Sequence, residues 1–102
     1  MKYAVVIQPS AAAEIEAAYV YLAGAASPDV AIRWFNELEA AIGTLVTMPR
    51  RCPLAPEDIY FADEIRHLLV PPYRVLFTMR PKEVHVLHVR HMAHRTLEPG
   101  SP

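Results

Sequence analysis

The final third of the chain, from Glu64 to Arg95, constrains the fold most, because it reads as three short β-strands in succession. The three predicted strands are residues 64–70, 73–80 and 83–91. Pro71-Pro72 joins the first two, and residues 80–83 join the last two. Both connections are short enough for antiparallel hairpins. A small antiparallel sheet is therefore predicted at the carboxyl end of the chain.

The same region carries most of the positive charge. Residues 66–102 hold six Lys or Arg residues against two Glu, a formal charge of +4. Residues 1–65 hold four basic and nine acidic residues, a formal charge of −5. All five histidines also lie in the basic part. Such asymmetry within a chain of net charge −1 indicates a surface suited to an anionic partner, either nucleic acid or an acidic protein.

Two helices are predicted before the strands. A first strand is predicted over 3–8, and Ser10 is the candidate N-cap of the first helix. Apolar residues then recur every three or four positions, and Gly24 is the predicted end of this helix. The second helix has a clearer start, with Ser27 as N-cap and Pro28 at its first position, and it is predicted to end at Met48-Pro49. Residues 50–63 lack periodicity and are predicted to form a structured loop.

The order β-α-α-β-β-β predicts an α+β fold in which a helical hairpin packs on one face of a small, mostly antiparallel sheet. Alternation along 73–80 places Tyr73, Val75, Phe77 and Met79 in the core, and Arg74, Leu76, Thr78 and Arg80 on the face that the helices leave open. The two faces of 64–70 are equally apolar, so the pattern does not orient that strand.

Length and composition predict one domain over residues 1–102, with 95–102 as a flexible tail. Cys52 is the only cysteine and has no partner for an internal disulfide. No apolar run approaches the ~18 residues of a membrane span. A cytoplasmic protein that binds no membrane is therefore expected.

The chain resembles the RelE/ParE superfamily of toxins from bacterial type II toxin–antitoxin modules, also called plasmid stabilisation modules. The resemblance rests on an ordered set of segments: a helix beginning PSAAAEI, a second helix of the form AxxWFxxLxxAIxxLxxMP, then RHLLVPPYRVLF at 66–77 and VHVLHVRH at 84–91. It covers nearly the whole chain. The superfamily fold that it implies is the β-α-α-β-β-β arrangement already predicted from the pattern.

The resemblance implies a growth-arresting toxin that a cognate antitoxin neutralises in a hetero-oligomer. ParE-type members inhibit DNA gyrase, whereas RelE-type members cleave messenger RNA on the ribosome. The helical hairpin and the ending VRHMAHR favour the ParE type. The RelE type remains the alternative, in which the chain would be an endoribonuclease. No cofactor is expected in either case.

In the RelE alternative, the catalytic candidates are Arg74, His67 and His94, which could supply positive charge and a proton shuttle. This set is incomplete, because the chain after Arg95 reads TLEPGSP and offers no C-terminal tyrosine. The candidates for contact with the target or the antitoxin are Arg66, Arg74, Arg90, His91 and Arg95. Arg66 and Arg90 could instead hold the acidic loop at 57–64, and His91 could fix the segment that follows the last strand.

A metal site is not predicted. His85, His88, His91 and His94 recur every third residue, but in a strand His85 and His91 would point away from His88. Arg74 is the residue most expected to contact a partner, because an arginine on an uncovered sheet face needs a counter-charge. The alternative is that Arg74 bonds to loop carbonyls or to one of the acids Glu57, Asp58, Asp63 and Glu64.

Overall fold

A computed structural model describes residues 2–93 and confirms the α+β architecture. The helices and strands are β1 (Ala4–Ile7), α1 (Pro9–Ala25), α2 (Pro28–Gly43), β2 (Ile65–Val70), β3 (Tyr73–Met79) and β4 (Glu83–His91). Three 3-10 turns, Thr44–Val46, Pro49–Arg51 and Pro56–Tyr60, lie between α2 and β2. The strand order is β1-β4-β3-β2, with β1 parallel to β4 and the other pairs antiparallel. The tail predicted over 95–102 lies outside the described residues.

The start of α2 is as predicted. Ser27 Oγ accepts a hydrogen bond from the Val30 amide at 3.1 Å, and Pro28 takes the first helical position. The predicted end at Met48-Pro49 is too late, because the α-helix ends at Gly43 and continues only as the 3-10 turn Thr44–Val46.

Both predicted ends of α1 are wrong. The helix begins at Pro9 with Gln8 as N-cap, because a proline at the first position loses no intrahelical hydrogen bond. Ser10 Oγ instead donates to the Leu87 carbonyl at 2.8 Å. Gly24 lies inside the helix, which runs on to Ala25, and the Ala26 amide still bonds to the Leu22 carbonyl at 2.9 Å.

The helices cover one face of the sheet, and the predicted core residues of β3 lie there. Val75 and Phe77 are fully buried, and Tyr73 is 7% exposed. The Trp34 ring lies 5.1 Å from that of Tyr73, and Trp34 Nε1 donates to the Val70 carbonyl at 3.2 Å. Trp34 therefore joins α2 to β2 and β3 both by packing and by a satisfied polar group.

A β-bulge in β4 changes which residues share a face. Leu76 pairs with His88 and Phe77 with Val86, so Leu87 is an extra residue without a partner in the ladder. His85 and His88 consequently lie on one face and His91 on the other, which corrects the strict alternation predicted for these histidines. Within residues 2–93, no group of three or more His, Cys, Asp or Glu side chains could hold a metal ion.

The second face of the sheet is not open, contrary to the prediction. Residues 52–61, the cover segment, lie across it. Ala55 packs with Ile65 and Leu76 in a second small core. The same segment pairs with the outer edge of β2, since the Ala55 amide bonds to the Ile65 carbonyl at 2.8 Å and the His67 amide bonds to the Pro53 carbonyl at 3.1 Å.

The pairing with β3 also orients β2. Leu68 lies opposite Val75 and faces the helices, whereas His67 lies opposite Leu76 and faces the cover segment. In the part of the chain described here, no helix is both long enough and apolar enough to cross a membrane.

Candidate functional site

Arg74 lies beneath the cover segment and not on an exposed surface. Its side chain is 8% exposed and forms a two-pronged ion pair with Glu57, whose side chain is completely buried. Arg74 Nη1 donates to Glu57 Oε1 at 2.8 Å, and Nη2 donates to Oε2. Such parallel bonds are the strongest geometry for an arginine and a carboxylate. The positive charge of Arg74 is therefore neutralised within the fold.

Two further arginines of the basic region are also paired with the acidic stretch 57–64. Arg66 contacts Glu64 at 2.8 Å and also donates to the Cys52 carbonyl, so it ties the start of β2 to the cover segment. Arg80 contacts Asp63 at 3.1 Å, with both side chains about half exposed. Much of the charge asymmetry of the sequence is thus cancelled internally, which agrees with the holding role considered for Arg66.

His67 is close enough to Arg74 for their charges to interact. Burial, and secondly the Arg74 charge, lower the pKa of the His67 ring below its usual 6.5, although Glu57 acts in the opposite direction. The buried Nδ1 atom finds no hydrogen-bond partner within residues 2–93. His67 is therefore neutral near pH 7 and adds no positive charge beside Arg74 and Glu57.

Arg90 and His91 lie at the far end of β4. Arg90 is the cross-strand neighbour of Arg74, so Glu57 neutralises one member of a pair of like charges that would otherwise repel. His91 packs edge-on against Tyr73 at 5.2 Å, and its Nδ1 accepts from the Ala93 amide at 3.0 Å. This bond fixes the segment after β4, the structural role considered for His91.

A groove of about 490 Å³ runs between α1 and this end of β4. Arg90, His91 and Tyr21 line it, and Glu14 closes one side. Glu14 Oε1 accepts from the Val89 amide at 3.1 Å, at a point where β1 no longer pairs with β4. Arg90 and His91 thus border a groove beside a part of β4 that does not pair with β1.

An apolar groove of about 520 Å³ lies on the opposite side of α1, between the two helices. Ile15, Tyr19, Ile32 and Phe35 line it, and Ile32 is 47% exposed. A neighbouring hollow of about 340 Å³ shares Ile15 and Phe35 and extends to the β1 edge. We call the two together the hairpin groove. The sequence analysis did not single out this groove; in the structure, the exposed apolar side chain of Ile32 on α2 marks it.

The structure brings together only part of the predicted site. Arg74 and His67 are neighbours, but both face the cover segment. Arg90 and His91 both line the groove between α1 and β4, whereas Arg66 lies at the start of β2. His94 and Arg95 fall outside the described residues. Glu57, the residue on which the Arg74 environment depends, was not singled out, because four acids between 57 and 64 were equally plausible partners.

The architecture is similar to that of a chain in a solved structure of a toxin–antitoxin system. A chain of the solved structure described as "Chromosomal ParDE TA system from P. aeruginosa" matches with a TM-score of 0.73 and 17% sequence identity, over 88% of this chain and 96% of that chain. At this level of identity the likeness establishes the fold. No sequence among the curated proteins matches the chain.

The chain belongs to the ParE toxin family, because the model of that family, the ParE toxin of the type II toxin–antitoxin system parDE, matches residues 5–95. The toxin role and the ParE type favoured by the sequence are thereby confirmed. Membership also implies a cognate antitoxin as the binding partner.

Proposed function

We propose that this toxin arrests growth by inhibiting DNA gyrase. The observation that carries the proposal is the ParE family match over residues 5–95. The environment of Arg74 also supports the proposal, because a nuclease needs accessible positive charge at the scissile phosphate. Arg74 is buried and ion-paired with Glu57, and the neighbouring His67 is neutral. Gyrase and its DNA lie in the cytoplasm, so the proposed target places the toxin there.

A supercoiling assay with purified components tests this proposal. Relaxed plasmid, gyrase and ATP are incubated with increasing toxin, and loss of supercoiled product is expected. Normal supercoiling at a large excess of toxin would reject gyrase as the target. Mapping of message ends after induction is the parallel test of the RelE alternative, for which new cleavage sites within translated messages would be the positive result.

We further propose that the antitoxin covers the hairpin groove with an amphipathic helix. An apolar helix face set into an apolar groove is a common mode of peptide recognition. Large side chains that stay exposed there, such as Ile32 at 47%, would be buried by such a helix. Toxin and antitoxin would then form the hetero-oligomer expected for this family.

Of the predicted contact residues, we propose that Arg90 and His91 meet a partner directly, since both border the groove between α1 and β4. Arg66 and Arg74 would act indirectly, by holding the cover segment in place. The part assigned to Arg95, and to His94 in the RelE alternative, remains a prediction from the sequence.

A further inference from the structure

Several cations of the described chain take no part in any ion pair formed within residues 2–93. They are Lys2, Arg33, Arg50, Arg51 and Lys82. Arg33 lies on α2, but the other four lie at one end of the molecule. We call these four, Lys2, Arg50, Arg51 and Lys82, the cationic end. All four are exposed.

Backbone contacts bring these four residues together from three parts of the chain. Lys2 precedes Tyr3, whose amide bonds to the Val46 carbonyl at 2.7 Å, close to the turn that carries Arg50 and Arg51. The Ala4 amide bonds to the Lys82 carbonyl at 3.0 Å. The start of β1, the turn after α2 and the β3–β4 turn therefore share one end of the sheet.

No acid at this end forms an ion pair with any of the four cations within residues 2–93. Asp63 pairs with Arg80, Glu64 pairs with Arg66, and Glu83 contacts the His85 ring. Asp58 accepts from the Ile65 amide at 2.8 Å. Counting Arg66 and Arg80, this end holds six cations and four acids. The rest of residues 2–93 holds three cations and six acids. The formal net charge is therefore +2 at this end of the sheet and −3 over the rest of the described chain.

We propose that the cationic end binds the phosphate backbone of double-stranded DNA. Exposed Lys and Arg side chains on separate turns can each neutralise a phosphate, and this interaction is independent of sequence. The four cations come from three separate parts of the chain, so a duplex, with phosphates spaced evenly along both strands, can offer each of them a charge to neutralise. The inference does not depend on gyrase being the target.

Fluorescence anisotropy of a labelled duplex of about two helical turns measures this binding directly. We expect the logarithm of the affinity to fall with the logarithm of the salt concentration by about 0.9 for each phosphate neutralised. With four contacts, the affinity should drop roughly a hundredfold between about 50 and about 200 mM salt. Absence of binding at the lower salt concentration would overturn the proposal.

The decisive variant is Lys2→Gln/Arg50→Gln/Lys82→Gln, which leaves the hydrogen bond of Arg51 to Thr44 intact. It should weaken duplex binding at least roughly tenfold at low salt and reduce the salt slope to about one phosphate. Its thermal unfolding should match that of the parent, because the three side chains are exposed. Binding as tight as that of the parent would overturn the proposal.

A charge-matched control separates local contact from net charge. Arg33→Gln/Asn36→Asp/Ala40→Glu makes the same change of three charges on exposed positions of α2. It should keep the parent's affinity within about twofold and its salt slope. Equal losses in both variants would contradict a localised site. Displacement of the duplex by polyglutamate at equal charge concentration would assign the surface to an acidic protein instead. No gyrase is present, so the outcome is independent of the supercoiling test.

Discussion

Arg74 and Glu57 form a buried ion pair that joins β3 to the cover segment across the second face of the sheet. Arg74 Nη1 lies 2.8 Å from Glu57 Oε1, and no part of the Glu57 side chain is exposed. The pair links residues 17 positions apart and fixes a segment whose two prolines give it no regular pattern. An arginine that the sequence marks as a contact residue is therefore an internal anchor of the fold.

Removing one partner of this pair should be far worse than removing both. Arg74→Met removes the guanidinium that pairs with the buried Glu57 carboxylate, and we expect a loss of roughly 3–5 kcal/mol of unfolding free energy. Arg74→Met/Glu57→Leu should recover most of that loss, since apolar replacements of buried pairs are often neutral or better. Urea unfolding of both variants measures the difference. A loss below about 1 kcal/mol for Arg74→Met would show that the pair is solvated.

His67 should make the fold less stable in mild acid. Its pKa is lowered in the folded state, so the unfolded chain binds the proton more readily. This contribution to stability is present above about pH 6.5 and is lost as the pH falls from there through the lowered pKa. Comparing unfolding free energies of the parent and His67→Gln from neutral pH down to about pH 5 isolates the effect. An identical pH dependence in both proteins would contradict the assignment.

The two serines near the helix starts should behave differently. Ser27→Ala removes the bond to the Val30 amide and should cost about 1 kcal/mol of unfolding free energy. Ser10→Ala leaves the start of α1 uncapped as before and removes only an exposed bond to the Leu87 carbonyl, so its cost should be smaller. Thermal or urea unfolding of the two serine variants measures the difference in their stability. A larger loss for Ser10→Ala would indicate that it caps α1 in solution.

The elements that sequence reasoning captured are those with local signals. Ser27-Pro28 marks the start of α2, and the alternation of β3 identifies Tyr73, Val75 and Phe77 as core, because capping and pleating act within a few residues. The predicted orientation of the β4 histidines is wrong, because the bulge at Leu87 shifts the alternation of side chains by one residue in the middle of the strand.

The site was harder to predict because it depends on long-range contacts. Residues 50–63 have no periodicity, and nothing local indicates that Ala55 packs on Leu76 or that Glu57, and not Asp58 or Glu64, meets Arg74. Once the cover segment is placed, Arg74 changes from an exposed contact residue to a buried one. The sequence predicts the charge asymmetry in its total but not in its location, since four of the five cations without an ion pair within residues 2–93 lie at the cationic end, and two of these, Arg50 and Arg51, precede the basic region.

The hairpin groove can be tested as the antitoxin site with one substitution and a matched control. Ile32→Glu places a charge in the groove and should weaken antitoxin binding by at least roughly a hundredfold, because an unpaired charge would be buried on binding. Val20→Glu adds the same charge to an exposed position of α1 that does not line the groove. Calorimetric titration with the antitoxin compares them. Parent-like affinity for Ile32→Glu would place the antitoxin elsewhere.

We propose that this ParE-family toxin acts on gyrase through surfaces other than the buried group of Arg74, Glu57 and His67. The most direct measurement is gyrase supercoiling of relaxed plasmid with the purified parent and with Arg74→Met/Glu57→Leu, both first verified as folded. We expect both proteins to block supercoiling at similar concentrations. Normal supercoiling with excess parent, or loss of inhibition in the folded double variant alone, would contradict this proposal.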